Sequence, residues 1–503
     1  MSSPTGFETR HPRGRLTQRV ALAILCFVFA GSIARAGWFS DPPNVVLICI
    51  DTVRKDTFDL PETSKSPDAL SPWITRALRF ENAHSPAPWT VPAVASTLTG
   101  LYPIQHRAGL YTEQPADLTV DPPSGLVPSV VTLPELLPDH TMMAFTESAF
   151  LKPQYALLQR GPVVFVDTEK RKASAADEAL AWLKRRKEKG PFFLYLHLMD
   201  AHHRDDQVLA DALAGRAAPV ATREMRKSAA ALPPKILASV SRHPFCANRK
   251  SYPCTVYLDY VSAVLDTRRH VAAVLGELQR GKRLGRTIVV LFSDHGEEFG
   301  EHMAEEAARG GDPRGHYGIG HGHAMYEELL HVPLYIWKPS QRPASVTAPV
   351  SLIDVTPTLA AWLDVDPIAT WSGVVLSDAV LAGTSHELDG RVLYASGIAY
   401  GYDQSAVMTK GKALIDIRCP PEHLLFNLSG DPAERHPLRD SAAIDDQRRL
   451  LIRYSKLWQA PSSAPPELTT EERKQLQALG YLEGSSDDAG PAPCEAATPA
   501  TPR

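Results

Sequence analysis

Three polar clusters in this chain follow directly on apolar runs. Asp51 closes the run NVVLICI (44–50), Asp200 with His202 and His203 follows FFLYLHL (192–198), and Asp294-His295 follows TIVVLF (287–292). A carboxylate at such a strand end is a natural ligand for a hard cation. An adjacent Asp and His offer mixed O/N ligation, which favours Zn2+ or Mn2+ over Ca2+. Four further histidines, His302, His316, His321 and His323, come within 28 residues of His295. His302 and His316 read as parts of a solvated polar loop. His321 and His323 flank Gly322 beside an apolar-aromatic helix start, so at least one is expected to face a site. Singly, each cluster has a plainer reading, as a capping aspartate or a surface loop. Together they point to one shared divalent-metal site held by Asp51, Asp294, His295 and Asp200.

Thr90 is the candidate nucleophile. It precedes Val91-Pro92 and an Ala/Ser/Thr-rich stretch ending at Gly100. Proline in the first turn and glycine at the end punctuate a helix, with Thr90 at the N-cap. A capping threonine would explain the residue by itself. The same position puts a hydroxyl among free backbone N–H groups in a positive field, where an anionic ester could dock and an alkoxide would be stabilised.

The elements that must position these residues alternate. Continuous apolar runs read as strands buried on both faces of a parallel sheet: 44–50, 192–198 and 287–292, with weaker candidates at 163–166 and 334–337. Between them, 174–187 reads as a helix opened by Ser174 and Asp177, and Val256 to Leu278 as a long amphipathic helix. Strands alternating with helices give an α/β fold with a mostly parallel central sheet, and open sheets of this kind assemble sites at the carboxyl edge. Past about residue 345 the pattern loosens, with short strands near 392–395 and 413–417, as in a smaller C-terminal α+β subdomain. The expected organisation is 1–40 targeting segment and linker, 41–345 catalytic domain, 346–483 C-terminal subdomain and 484–503 disordered tail.

The chain has 503 residues, 44% apolar and 22% charged, which excludes global disorder. A net charge of −4 gives no electrostatic case for a nucleic-acid partner. Arg10, Arg13, Arg15 and Arg19 precede a charge-free run, Val20 to Gly31, and Ala34-Arg35-Ala36 follows. That is the layout of a bacterial secretory signal, so a periplasmic or secreted protein is expected. Membrane contact is expected only if this segment stays uncleaved. Cys49 reads as a core residue. Cys246 and Cys254 flank a polar loop that a disulfide could close in an oxidising compartment, with two free thiols as the alternative.

The segments NVVLICIDTVRKD, APWTVPAVASTLTGLYP, LFSDHGEEFGEH and GHGHAMYEELLHVPLYI closely resemble the sulfatase family of the alkaline phosphatase superfamily. SLIDVTPTLAAWL, LLFNLSGDPAERHPL and ELTTEERKQLQALGYL resemble its C-terminal segments, in the same order, so the resemblance covers about residues 42–483. It implies an alkaline-phosphatase-like α/β/α sandwich with a C-terminal subdomain on a short antiparallel sheet. It also implies hydrolysis or transfer of sulfate or phosphate esters at a metal-held nucleophile. By this resemblance Asp51, Asp294 and His295 are metal ligands and Thr90 occupies the nucleophile position of the pattern Cys/Ser-x-Pro-x-Arg. His202 matches a substrate-contacting histidine. His321 or His323 matches a residue that serves the substrate or a second metal.

Two departures shape the expected chemistry. Sulfatases convert Cys or Ser to formylglycine, and Thr90 cannot give that aldehyde because its β-carbon carries a methyl group. The family's arginine is Val94 here. A threonine nucleophile resembles the phosphoester-acting relatives instead: phosphoethanolamine transferases, lipoteichoic acid synthases and nucleotide pyrophosphatase/phosphodiesterases. The reading is an exported hydrolase or transferase with a divalent ion, Zn2+ first and Mn2+ or Ca2+ as alternatives. It would cleave phosphoesters of small-molecule, envelope or glycan substrates through Thr90, diesters preferred. Sulfate-ester cleavage without formylglycine and an inactive anion- or glycan-binding relative are the alternatives.

Overall fold

The computed structural model describes residues 42–478, apart from 61–67, 112–114, 161–162, 169–173, 203–205, 241–242, 244–245 and 247. The targeting segment, the tail expected at 484–503 and His203 lie outside the described residues. An eight-stranded sheet forms the centre. Its strands run in the order Ala344–Val346, Leu78–Phe80, Leu334–Trp337, Thr287–Phe292, Asn44–Ile50, Phe192–Leu198, Thr141–Thr146 and Val163–Asp167. All are parallel except Leu334–Trp337, which is antiparallel to both neighbours.

The apolar runs are continuous because both faces of the sheet are covered. Val46, Ile48 and Ile50 face the layer that contains Ala175–Arg185 and Tyr252–Arg280. Val45, Leu47 and Cys49 face the opposite layer, with helices Thr90–Thr99 and Val355–Trp362. This is the expected α/β/α sandwich. Ser174 caps the first of these helices by accepting from Asp177 N, and Ser251 caps the long one by accepting from Cys254 N. Cys246 and Cys254 are joined as a disulfide. Cys49 is a buried free thiol.

A four-stranded antiparallel sheet, Leu393–Ser396, Gln404–Thr409, Lys412–Arg418 and Pro421–Asn427, carries the C-terminal part. Residues 346–365 do not belong with it. Val346 ends an edge strand of the large sheet, and Thr356 Oγ1 donates to Thr97 O at 2.7 Å, tying its helix to the Thr90 helix. The boundary expected at 345 therefore falls inside the sandwich. Among the described residues no helix is long and apolar enough to cross a membrane.

Candidate active site

The parallel ladder itself delivers Asp51, whose N–H donates to Leu198 O at 2.9 Å, one step beyond the strand. The next residue, Thr52, takes φ +59°, a strained region for a β-branched residue. It is held there from several sides. Tyr260 donates its hydroxyl to Thr52 O (2.9 Å), and Val53 N donates to Ser293 Oγ (2.9 Å). Ser293 Oγ in turn lies 2.5 Å from Ile50 O and 2.7 Å from His295 O, so one hydroxyl fastens the ends of the two central strands together.

Thr90 is the first helical residue and not the N-cap. Trp89, extended at φ −160° and ψ 166°, takes the cap position without a side-chain bond, and its indole donates to Gly397 O at 2.8 Å. Gly100 closes the helix at φ +70°, as its position foretold. Thr90 Oγ1 lies 3.3 Å from His295 Nε2 and 3.5 Å from Asp51 Oδ2.

Asp294 and His295 follow Ser293 at the same edge. His295 Nδ1 donates to Gly296 O (2.9 Å), which leaves Nε2 as the lone-pair nitrogen turned toward Thr90. Gly296 is required by space, because a Cβ there would stand 1.9 Å from Glu328 O.

His197 was not among the expected site residues. It lies on the central strand Phe192–Leu198, paired with Cys49, and its Nε2–H donates to Asp51 Oδ2 at 2.8 Å. Tyr195 donates its hydroxyl to the other ring nitrogen at 3.2 Å. The usable signal was a lone histidine inside an otherwise apolar strand, on the same face as Tyr195.

The remaining candidates divide. His321 joins the group: its ring centroid is 4.5 Å from that of His295 and 5.3 Å from that of His202. Its Nδ1 pairs with Glu297 at 3.2 Å. Asp200 does not join. It is exposed and accepts from Thr267 Oγ1 and His270 Nδ1 at the long helix, because the chain turns outward directly after the strand. His323 belongs to a different cluster, with Glu298 Oε2 at 3.1 Å and Glu306 Oε2 at 3.5 Å. Glycine between the two histidines, at φ +80°, turns successive side chains apart. His302 and His316 are buried and not solvated. The first stacks on Tyr326 at 3.6 Å, and the second bonds Gln207 at 2.8 Å.

Burial dominates the electrostatics. It pushes the Asp294 carboxyl up to about 6, with the Asp51 charge adding to the effect. Burial also raises Asp51 and lowers His295 and His197, and it takes His321 down to about 4. Two buried carboxylates thus face each other with neutral imidazoles around them.

Whether these residues suit a divalent ion can be judged from their free atoms. Asp51 Oδ1 and Asp294 Oδ2 are buried without hydrogen-bond partners, each 3.6 Å from His295 Nε2. Direct N–H···O bonds close to about 2.9 Å. Donors around a tetrahedral ion with bonds of about 2.0–2.2 Å stand roughly 3.3–3.6 Å apart. His295 Nε2 stands 3.3 Å from Thr90 Oγ1 and 3.6 Å from both Asp51 Oδ1 and Asp294 Oδ2, spacings that fit such a donor set around His295. Asp51, Asp294 and His295 are one of three such groups among the described residues. A second, Cys49, His197 and Asp294, is a poorer set, since His197 Nε2 is committed to Asp51 and burial keeps the Cys49 thiol protonated. A cavity of about 890 Å3 lies elsewhere and is bordered by Arg54, His84, Glu327 and Arg391.

A mostly parallel sandwich that gathers a hydroxyl, two carboxylates and an imidazole beside the carboxyl ends of its central strands defines an α/β class with a polar site at that edge. The sulfatase family model matches residues 43–365, and the chain belongs to the sulfatase family. Arylsulfatase K of Gallus gallus is 27% identical over 190 residues, 35% of this chain and 32% of the relative, so the match spans about a third of that protein. The solved structure of Ps i-CgsB in complex with k-i-k-neocarrahexaose superimposes with a TM-score of 0.57 at 17% identity, covering 88% of this chain and 98% of its own. Phosphonate monoester hydrolase of Agrobacterium radiobacter does so with a TM-score of 0.57 at 15% identity, covering 82% and 95%.

Proposed function

We propose that this chain is an exported, metal-dependent hydrolase or transferase that cleaves phosphoesters through Thr90, with diesters preferred. The observation that carries the reading is the Thr90 hydroxyl 3.3 Å from His295 Nε2 and 3.5 Å from Asp51 Oδ2; by the sequence resemblance this is the position of the residue a sulfatase oxidises. A threonine cannot supply that aldehyde, whereas its oxygen can attack phosphorus directly. The likeness to a phosphonate monoester hydrolase supports phosphorus chemistry on this framework.

A bound divalent ion, Zn2+ for preference given the N/O donor set, would lower the hydroxyl pKa of Thr90 and polarise an ester oxygen. Asp51, Asp294, His295 and Thr90 would hold it. His197 orients Asp51, and the Nδ1 bond to Gly296 O orients His295. In this step Thr90 would give up its proton to solvent, and its Oγ would bond phosphorus as the bond to the leaving oxygen breaks, the leaving oxygen taking a proton from His321 or water. The phosphothreonine would then be released by water or an acceptor hydroxyl. His321, backed by Glu297, can take a proton on its second nitrogen when an anion arrives and stabilise the leaving oxygen. His202 lies against it on the same side. Neutral histidines supply little fixed positive charge, which suits a singly charged diester better than a dianionic monoester.

Export rests on the arginine-rich start, the apolar run and the Ala-Arg-Ala site. The second reading, sulfate-ester cleavage on a small-molecule or glycan substrate, is favoured by the sulfatase relatives and by a neighbour solved with k-i-k-neocarrahexaose. Metal analysis of the purified protein, with nitrophenyl phosphate mono- and diesters beside nitrophenyl sulfate, separates the two. A clear preference for sulfate that survives Thr90→Ala would overturn the proposal.

A further inference from the structure

Behind the candidate active site lies a second cluster that the proposed reaction does not use. Glu298 and Phe299 pair in antiparallel fashion with Gly320 and Ile319, and helix Met303–Arg309 packs beside this ribbon. Glu298, Glu306 and His323 converge there, all buried, each offering a ligand atom within 4.8 Å of the others. His323 Nε2 stands 3.1 Å from Glu298 Oε2 and 3.5 Å from Glu306 Oε2. The rest of the cluster is tied in place: Glu298 Oε1 accepts from His302 N at 2.9 Å, and Glu306 Oε2 accepts from Gly318 N at 2.8 Å.

Two further observations point to a missing occupant. Glu306 is 6% exposed, yet its Oε1 has no hydrogen-bond partner, an arrangement that is costly for a buried carboxylate. A small cavity of about 20 Å3 opens beside it, bordered by Glu306, His323, Tyr317 and Gln404. That is room for roughly one water-sized ligand. Arg314 is bound to Asp312 at 2.8 Å and stacked on the Tyr400 ring, so within the cluster it is the His323 proton that faces both glutamates.

We propose that Glu298, Glu306 and His323 form a second divalent-cation site, taking Zn2+ or Mn2+ with water from the small cavity completing the shell. Without an ion the two carboxylates hold the His323 proton, pushing that imidazole up to about 9; an entering dication displaces this proton and cancels the charge of the two carboxylates. The donor set is three protein ligands of O, O and N type, which suits these ions and leaves a position open for water. The site is structural. Glu298 adjoins Glu297, the partner of His321, and His323 lies two residues from His321, so an ion here fixes the ribbon that presents His321. This inference does not depend on which ester the enzyme cleaves.

Chelator-stripped full-length protein titrated calorimetrically with Zn2+, and metal counting by mass spectrometry after dialysis, test it. Wild type should hold two ions per chain, and both Glu306→Gln and Asp294→Asn should hold one. A wild type that holds a single ion, retained in Glu306→Gln, would show the cluster to be a buried ion-paired triad and overturn the proposal. If Glu306→Gln does not fold, Asp294→Asn decides alone: one ion bound supports the second site and none refutes it. Loss of an ion in Glu306→Gln with an undiminished count in Asp294→Asn would leave this site standing and remove the one at Asp294.

Discussion

His197 donates its Nε2–H to Asp51 Oδ2 at 2.8 Å from the middle of the sheet, which commits one oxygen of that carboxylate and leaves the other facing His295. The imidazole is therefore a positioning residue for the candidate metal group. Outer partners of this kind typically account for about 10–100-fold in metal affinity. His197→Gln, measured by Zn2+ titration of stripped protein, should weaken binding by that order. Unchanged affinity would mean that Asp51 needs no such support.

Thr90→Ala should reduce turnover by at least about 10^3-fold, since it removes the nucleophile and one donor together. Its effect on stability should be small, about 1 kcal/mol, because Trp89 and not Thr90 occupies the cap. Thr90→Cys, with Val94 unchanged, should not gain strong sulfatase activity. Full activity in the alanine variant, in a steady-state assay with a diester, would exclude Thr90 as nucleophile.

The pH dependence follows from Asp294. Burial raises its folded carboxyl to about 6 from 3.8, so the metal-free folded state holds the proton more tightly than the unfolded chain does. Its stabilising effect is therefore complete below about pH 4 and lost as pH rises through 6. Two pK units correspond to about 3 kcal/mol. The difference in Tm between metal-free wild type and Asp294→Asn should isolate this contribution, because the histidines whose pKa burial lowers, His321 among them, shift stability the other way over the same range. Added Zn2+ should raise Tm more at pH 7, where carboxylate and imidazoles are free to ligate. Scanning calorimetry at both pH values reads this directly. A Zn2+ shift that is larger at pH 5 would contradict it.

Gly296→Ala would place a Cβ 1.9 Å from the backbone oxygen of Glu328, which no rotamer can relieve. The backbone must move, at about 3 kcal/mol, and His295 moves with it. Urea unfolding should show that loss together with weaker metal binding. A variant as stable as wild type would mean that the 328–329 segment yields freely.

Much of this site could be read from the sequence because strand-end chemistry is local. Runs such as NVVLICI had to be buried on both faces, which put Asp51, Asp294 and His295 at one edge before any coordinates. Asp200 misled because the same rule names the edge but not the direction in which the chain leaves it. His321 and His323 could not be separated by spacing, since that depends on the left-handed turn at Gly322 and on Glu297 and Glu298 across the ribbon. His197 went unread because a polar residue within an apolar run reads as noise until its partner across the sheet is known.

The reversed direction of Leu334–Trp337 has a consequence for how the chain between it and the preceding strand is anchored. The chain leaves Thr287–Phe292 and re-enters the sheet at the same edge, so residues 293–333 form an excursion whose two ends are already fastened. Ser293 N donates to Pro333 O at 3.1 Å and Gly296 N to Leu329 O at 2.8 Å. With the closure made at the base, lengthening the outer stretch costs only loop entropy, about 0.6 kcal/mol for each doubling. The root of the excursion carries Asp294 and His295, whose positions are set by the sheet, while its buried outer part carries His321, so tolerance to insertion is confined to partly exposed stretches such as 310–315.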